Sequence, residues 1–285
     1  MFKNSNFSKI ISCTLINQVK YLKSTNNLLI LSNEKIILFD LNTYKETVLL
    51  NEKGTFTTIE KNFYITGNKF IYFISYDKNK IYNKFKASEH SISSLLYYEN
   101  KIILSSKKLI KIFEKINNDY VLITTMKYHK LNISGLIKLN KYFISFSSNE
   151  NLINIYNINM LTITKSYEHE AGLHENSFII IKNRLIIGGI YYLLLIDINT
   201  IKLIKKISFH EFYIINCFCV LNDELFCGDI SGLIYKFKII NDNEYEYTEK
   251  IKLYKKEGII NIMKNKNYII VATSRNKLDF FNIIK

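Results

Sequence analysis

The sequence predicts an all-β fold, a β-propeller of seven four-stranded antiparallel blades. Seven short apolar segments recur at spacings of roughly 35 to 45 residues, and a period of about 40 with four strands per repeat is the signature of a propeller. The 285 residues include 21 tyrosines and 19 phenylalanines but nine glycines and no proline, a composition that favours strands. The seven segments are Ile36–Phe39, Phe70–Ile74, Leu109–Phe113, Leu152–Tyr156, Leu193–Ile196, Leu233–Phe237 and Leu278–Phe281.

Each segment is interpreted as the third strand of a blade whose strands a, b, c and d run from the centre of the ring outward. The blades make one domain over residues 1–285, with boundaries at about 19–50, 55–88, 91–128, 131–168, 175–209, 212–255 and 258–285. The last blade has no segment for its outer strand d after strand c, whereas an apolar segment at residues 5–16 precedes the first blade. We therefore expect this segment to pair near Leu278–Ile283 and to complete the last blade, because closure removes the exposed faces of an open array.

Asparagine is expected to occupy the tight turns, because glycine is scarce and asparagine tolerates positive φ better than other non-glycine residues. The predicted turns are Asn26-Asn27, Asn100, Asn140, Asn183, Asn222-Asp223 and Asn265. The longest connection between strands c and d is expected at residues 241–244, in the sixth blade.

Four histidines recur at nearly constant spacing where the loops between strand d of one blade and strand a of the next should fall. They are His90, His129, His169 and His210. Strand c of several blades ends in an apolar or aromatic residue and a polar one, as in Phe39-Asp40 and Tyr156-Asn157, and Asp229 lies in a turn between strands b and c. In these features the chain resembles the WD40-repeat family.

The resemblance implies a seven-bladed propeller in which each loop histidine is structural, hydrogen-bonded or packed within its own blade. It also implies a rigid platform that binds other proteins. The chain departs from the family pattern, since Glu89 rather than glycine precedes His90, and tryptophan is absent. With no complete network of histidine, hydroxyl, aspartate and tryptophan in any blade, we expect blade stability to rest on apolar packing.

No catalytic, cofactor-binding or metal-binding residues are predicted. The sequence lacks a glycine-rich phosphate loop, a nucleophile elbow and an HExxH motif, although an enzyme with dispersed residues at the central channel remains an alternative. Cys217 and Cys219 lie two apart on one strand, and Cys227 lies on the next. A three-thiolate metal site and a buried apolar cluster both fit this pattern, and the buried cluster is favoured because free cysteine is among the most buried residue types.

The net charge of +14 points to an anionic partner such as RNA or an acidic protein segment. The same charge also fits a compositional bias toward lysine, or lysines that protect the outer edge of each blade from edge-to-edge pairing. Aromatic residues interleaved with lysine, as at Tyr254-Lys255-Lys256, fit RNA stacking and equally fit a half-buried outer strand.

The charges of the turns between strands b and c predict a basic arc on one face of the ring. Its residues are Lys35, Lys69, Lys107, Lys108, Arg275 and Lys277. The opposite side of the same face is predicted to be acidic, with Glu150, Glu168, Glu170, Glu175, Glu211 and Asp229. Clustered charge orients an incoming partner, so the basic arc is a candidate site for an acidic protein segment or a phosphate backbone.

The sequence as a whole predicts a non-enzymatic scaffold that mediates protein–protein interactions within a larger complex. The alternative is a subunit of an RNA-containing assembly that binds partly through lysine–phosphate contacts. No cofactor or small-molecule substrate is indicated. The four cysteines are too few for a disulfide framework, no secretory signal or membrane span is recognisable, and we expect an intracellular protein, cytoplasmic or nuclear.

Overall fold

A computed structural model describes residues 7–23, 25–51, 56–59, 63–75, 80–168, 177–190, 192–208, 214–265 and 268–282, with backbone alone for 56–59, 63–67, 75 and 80. Over these residues the chain forms 28 strands. They pair into seven four-stranded sheets. Among the same residues there is no helix long and apolar enough to cross a membrane.

The strands follow the predicted repeat. In chain order they are β1 (Phe7–Ile10), β2 (Ile16–Leu22), β3 (Asn27–Ser32), β4 (Ile36–Asp40), β5 (Glu46–Leu50), β6 (Phe56–Ile59), β7 (Phe63–Gly67), β8 (Phe70–Ser75), β9 (Lys80–Lys86), β10 (Ile92–Tyr98), β11 (Lys101–Ser106), β12 (Leu109–Ile116), β13 (Asp119–Met126), β14 (Gly135–Leu139), β15 (Tyr142–Ser147), β16 (Leu152–Asn157), β17 (Thr162–Glu168), β18 (Phe178–Ile181), β19 (Arg184–Gly188), β20 (Tyr192–Asp197), β21 (Lys202–Ser208), β22 (Ile215–Leu221), β23 (Glu224–Asp229), β24 (Leu233–Asn241), β25 (Glu244–Lys252), β26 (Ile259–Lys264), β27 (Tyr268–Thr273) and β28 (Lys277–Asn282).

The chain divides into two compact units. One comprises Met1–Asn33, Ile37–Thr47 and Gly172–Lys285, and the other comprises Glu34–Ile36 and Val48–Ala171. The single-domain interpretation of residues 1–285 stays a prediction. Six of the seven sheets are formed by four consecutive strands, and the seventh has the order β1-β28-β27-β26.

The N-terminal strand supplies the outer strand of the last sheet. Phe7 lies opposite Phe280 and Ile10 lies opposite Lys277 in an antiparallel ladder, which confirms the pairing expected for the segment at 5–16. The Phe7 ring stacks on Phe280 at 4.2 Å and meets Tyr44 edge-on at 5.0 Å. The Asn276 side chain also fixes this segment, because its Oδ1 accepts a hydrogen bond of 2.9 Å from the N–H of Ile16.

The polar residue at the end of strand c has a structural purpose. Its side-chain oxygen accepts hydrogen bonds from the backbone N–H groups two and three positions later, which closes the turn to strand d. Three turns show this arrangement, at Asp40, Asn157 and Asp197. The residue four positions after each of these has a left-handed backbone, with φ of 56° at Tyr44, 55° at Leu161 and 53° at Ile201.

The predicted turns are partly confirmed. Asn26, Asn140 and Asn222 have positive φ, but at two other turns the left-handed residue is Glu99 or Lys182, one position before the predicted asparagine. The expectation that residues 241–244 form the longest connection between strands c and d is wrong. β24 and β25 extend to Asn241 and from Glu244, each over nine residues, and leave a two-residue turn.

The inner strands of the sheets contain most of the buried apolar side chains that form the core. Cys217 and Cys219 pack in a buried cluster with residues such as Ile262 and Val271, and Cys227 lies in a neighbouring cluster. Burial raises the pKa of the Cys219 thiol to about 11 and raises the pKa values of the other two further. Because the thiolate is the form that binds metal, this environment favours the buried-cluster interpretation. No group of three His, Cys, Asp or Glu side chains suited to a metal is found among the described residues.

Candidate functional site

A cavity of about 440 Å³ in the unit that contains Val48–Ala171 brings together three of the residues singled out in the sequence. Lys69 comes from the β7–β8 turn, His90 from the β9–β10 loop and Lys107 from the β11–β12 turn. We call this the basic cavity. Ser93 of β10 and Ile133 of the β13–β14 connection also line it, so residues from several separate segments shape its wall.

Backbone hydrogen bonds fix Lys69 at the cavity. The Lys69 carbonyl accepts the N–H groups of Ala87 at 3.0 Å and Ser88 at 3.1 Å. The β7–β8 turn is therefore tied to the loop that carries His90. That loop is held in turn from the next strand pair, since the Ser88 and Ser106 hydroxyl oxygens lie 2.8 Å apart.

Lys107 is fixed in the same way. Its backbone is left-handed, with φ of 51°, and its carbonyl accepts the N–H of Ile133 at 2.8 Å. The Ser93 hydroxyl donates to the Ile133 carbonyl at 2.8 Å. The backbones that present Lys69 and Lys107 are thus set by the surrounding loops, whereas their side chains are exposed.

The field around the basic cavity is positive. Glu89 is its one lining carboxylate among the described residues, and Lys86 Nζ lies 2.8 Å from Glu89 Oε2. The hydrogen bond and charge of Lys86 are the main cause of a lowered Glu89 pKa, and the charges of Lys111 and Lys69 add to it. An exposed ion pair contributes little stability, but an excess of cations over one carboxylate favours binding of a further anion. The lining residues that the structure describes offer no nucleophile paired with a base.

The remaining residues of the predicted basic arc are not gathered into this cavity. Lys108 is exposed beside Lys107, and Lys35 is partly buried in the β3–β4 turn. Arg275 is exposed in the β27–β28 turn of the other unit.

Lys277 is engaged inside its own sheet. Its Nζ lies 3.0 Å from Oδ2 of the buried Asp279 and 5.6 Å from the centre of the Tyr254 ring. The Tyr254 hydroxyl also donates to Asp279 Oδ2 at 2.5 Å. This lysine therefore compensates a buried carboxylate, which a turn position alone does not reveal.

His129 lies in the β13–β14 connection and is almost completely buried. Its Nδ1 lies 3.0 Å from Glu150 Oε2, so the carboxylate accepts the Nδ1 proton and leaves Nε2 as an acceptor. Ser145 Oγ lies 2.6 Å from Nε2 and 3.1 Å from the Tyr156 hydroxyl. Asn154 Nδ2 also approaches Nε2, at 3.3 Å. A connected polar network thus joins the loop, two strands and the β15–β16 turn of one sheet.

This network adds buried polar contacts to the apolar core of one sheet, and the expectation that blade stability rests on apolar packing stays a prediction. Glu150 lies in the β15–β16 turn, and Tyr156 lies on β16, the third strand of this sheet. Desolvation lowers the pKa of His129 and outweighs the opposing influence of Glu150. A spacing of 16 residues separates His129 from Ser145 and also His90 from Ser106, but Ser106 Oγ contacts the backbone carbonyl of His90 rather than its ring, so the spacing alone does not identify the network.

His90 has a different environment. Its side chain is exposed at the basic cavity. Its backbone N–H donates to Ser88 Oγ at 3.2 Å, and its carbonyl lies 3.3 Å from Ser106 Oγ. His169 and His210 lie outside the described residues.

Two members of the predicted acidic side are structural. The Glu150 side chain belongs to the buried His129 network. Asp229 is fully buried and accepts the Leu233 N–H at 2.9 Å and the Tyr235 hydroxyl at 2.9 Å. Neither carboxylate is available to an exposed acidic surface. Glu168 is exposed, and Glu170, Glu175 and Glu211 lie outside the described residues.

Comparisons with known proteins give the fold. No protein-family model matches the sequence, and no curated protein matches it either. A chain of the crystal structure of the mitotic checkpoint complex is similar over 99% of this chain and 92% of its own, with a TM-score of 0.82 and 11% identity. U3-55K is similar over 97% and 98%, with a TM-score of 0.78 and 11% identity.

A computationally designed protein, Ika8, is similar over 94% of this chain and 83% of its own, with a TM-score of 0.73 and 11% identity. These likenesses and the pairing order of the strands identify the fold as a β-propeller with four-stranded antiparallel blades.

Proposed function

We propose that this protein is a non-enzymatic WD40-like scaffold that holds an acidic segment of a partner protein at the basic cavity. The convergence of Lys69, Lys107 and His90 on one cavity carries the proposal. Ordered backbone presents the two lysines, so less conformational freedom is lost when a carboxylate binds. A similar chain belongs to a multi-subunit assembly, the mitotic checkpoint complex, which supports a function in a complex.

The architecture in this proposal is a seven-bladed ring completed by β1. Seven four-stranded sheets among the described residues and the β1–β28 ladder support it. Four cysteines without a disulfide pattern in the sequence support an intracellular location, cytoplasmic or nuclear.

The second candidate is a subunit of an RNA-containing assembly. The net charge of +14 and the exposed lysines favour it. The two candidates differ in salt dependence, because neutralising several RNA phosphates releases counterions and makes affinity fall steeply with salt. An acidic peptide that contacts two lysines has a shallower dependence.

A fluorescein-labelled polyglutamate peptide and a labelled single-stranded RNA oligonucleotide are the probes, and fluorescence anisotropy at several salt concentrations is the measurement. The test variant is Lys69→Glu/Lys107→Glu. Its control is Lys202→Glu/Lys205→Glu, an equal charge change at exposed positions of β21. We expect the test variant to weaken peptide binding at least about tenfold and the control to leave it nearly unchanged.

Equal weakening by both variants would mean that net charge, not the cavity, holds the peptide. Tighter binding of the RNA with a steep salt slope would favour the second candidate. The melting temperatures of both variants should stay close to that of the parent protein, because the exchanged side chains are exposed.

A further inference from the structure

The basic cavity contains more hydrogen-bond donors than its two lysines and its histidine. The exposed side chains of Ser91 and Asn132 line it together with Lys69, Lys107 and His90. No hydrogen bond or ion pair engages any of these five side chains among the residues that the structure describes. Ammonium, imidazole, hydroxyl and amide groups all donate hydrogen bonds, so the wall offers a set of unused donors to a ligand that is rich in acceptors.

Ser91 and Asn132 lie on backbone that is held in place, as the two lysines do. The Ser91 carbonyl accepts the Ser106 hydroxyl at 3.1 Å, and the Asn132 carbonyl accepts the Ser147 hydroxyl at 2.9 Å. Ser106 belongs to β11 and Ser147 to β15, so each donor is fixed by a neighbouring strand. A donor on fixed backbone loses less conformational freedom when it binds a ligand.

The lining carboxylate already has a cation. Lys86 Nζ lies 2.8 Å from Glu89 Oε2, which leaves the charges of the lining lysines available. A further cation lies close to the backbone of Lys69, because Lys111 Nζ donates to the Ala87 carbonyl at 3.4 Å and the N–H of Ala87 donates to the Lys69 carbonyl at 3.0 Å. The surroundings therefore favour a ligand group with more than one negative charge.

We propose that the acidic partner segment carries a phosphoserine or phosphothreonine, whose phosphate group binds in the basic cavity. This inference rests on the proposed function and specifies its ligand. A phosphomonoester carries a charge of about −1.5 to −2 at pH 7 and three strong acceptor oxygens. A carboxylate has a single charge and two oxygens. Two lysines satisfy a carboxylate and leave the donors of Ser91 and Asn132 unused, whereas a phosphate engages lysines, hydroxyl and amide together.

A phosphorylated protein fits this cavity better than RNA does. Each phosphodiester of RNA carries one negative charge, and RNA affinity comes from neutralising several successive phosphates along a surface. The donors described above converge instead on one confined cavity of about 440 Å³, which matches a single, more highly charged group.

A series of fluorescein-labelled peptides tests the proposal by fluorescence anisotropy. The peptides share two flanking glutamates and differ at the centre, which is phosphoserine, serine, one glutamate or two glutamates. We expect the phosphoserine peptide to bind at least about tenfold more tightly than the peptide with two central glutamates, although the added charge is similar. Lys69→Glu/Lys107→Glu should weaken binding of the phosphoserine peptide and of both peptides with central glutamate.

The uncharged donors provide the specific readout. Ser91→Ala/Asn132→Ala should weaken the phosphoserine peptide at least about fivefold and leave the glutamate peptides nearly unchanged, which also shows that the variant is folded. The control is Asn159→Ala/Thr164→Ala, which removes an amide and a hydroxyl at exposed positions that do not line the cavity. It should leave binding of every peptide unchanged.

The outcomes separate this inference from the proposed function. If the glutamate peptides need the two lysines but phosphoserine gives no tighter binding than two glutamates, the phosphate inference is wrong and the proposed function stands. If the lysine variant binds every peptide as the parent protein does, both are wrong. Equal effects of the alanine variant and its control would also overturn the phosphate inference. Tighter binding of single-stranded RNA, or of phosphatidylcholine vesicles that contain a phosphatidylinositol phosphate, would overturn the choice of a phosphorylated protein.

Discussion

Truncating Phe7 tests whether the N-terminal strand is an integral part of the last sheet. The Phe7 ring stacks on Phe280 at 4.2 Å and contacts Tyr44 and Tyr268 edge-on, at 5.0 and 5.8 Å. Removal of a fully buried phenylalanine side chain costs about 3–5 kcal/mol. Phe7 is partly buried, so we expect Phe7→Ala to lower the free energy of unfolding by about 2 kcal/mol.

For a chain of this size, about 2 kcal/mol corresponds to a fall in melting temperature of about 3–4 °C. Differential scanning calorimetry measures it. Ile10→Ala is the matched control, because Ile10 lies on the same strand but is 75% exposed. It should change the free energy of unfolding by no more than about 0.5 kcal/mol. If the two variants melt within the experimental error of each other, β1 does not contribute its packing to the sheet.

Deletion of residues 1–16 extends the same test. It removes β1 and the buried Ile11 and Ile16, and it exposes the backbone edge of β28. Asp279 also loses a hydrogen bond from the Ser8 hydroxyl. A truncated protein that melts at the parent temperature would contradict the structural importance of this segment.

Three further predictions concern stability and reactivity. Because burial lowers the pKa of His129 in the folded protein, the unfolded chain binds a proton on this residue more readily. The free energy of unfolding measured in urea titrations should therefore fall as the pH drops below the ordinary histidine pKa of about 6.5 toward the lowered pKa of the folded state. The variant His129→Gln should show a smaller pH dependence. Glu99→Gly should stabilise the protein by about 0.5–1 kcal/mol in chemical denaturation, because relief of a left-handed backbone exceeds the entropy of glycine, whereas Asn100→Gly should not. Iodoacetamide should modify the partly exposed Cys13 well before the buried Cys219, as peptide mass spectrometry would show.

The repeat of strands was predictable because local pattern and burial agree. The apolar segments became strand c of each sheet, and the polar residue after them closes the next turn, as at Asp40. The N-terminal pairing was predictable from a shortage of strands in the last repeat. Its register, with Phe7 opposite Phe280, was not, because an aromatic contact made by residues far apart in sequence leaves no local pattern.

Backbone strain was the least predictable feature. Ile201 has a φ of 53°, which local propensity disfavours for a β-branched residue. Its side chain is almost completely buried, so tertiary packing holds the conformation. The hydrogen bonds to Asp197 and the burial of Ile201 thus act together on this turn, against the local preference of the residue at the left-handed position.

The lysines of corresponding turns show why net charge alone cannot locate a binding site. Lys277 is two residues before Asp279, and their ion pair places its charge against a buried carboxylate. In the sheet that carries Lys107, the residue two positions after Leu109 is Lys111 rather than a carboxylate, and its charge acts on Glu89 together with that of Lys69. Anion recognition is therefore expected where strand c lacks an acidic residue near its start, and the basic cavity meets that condition.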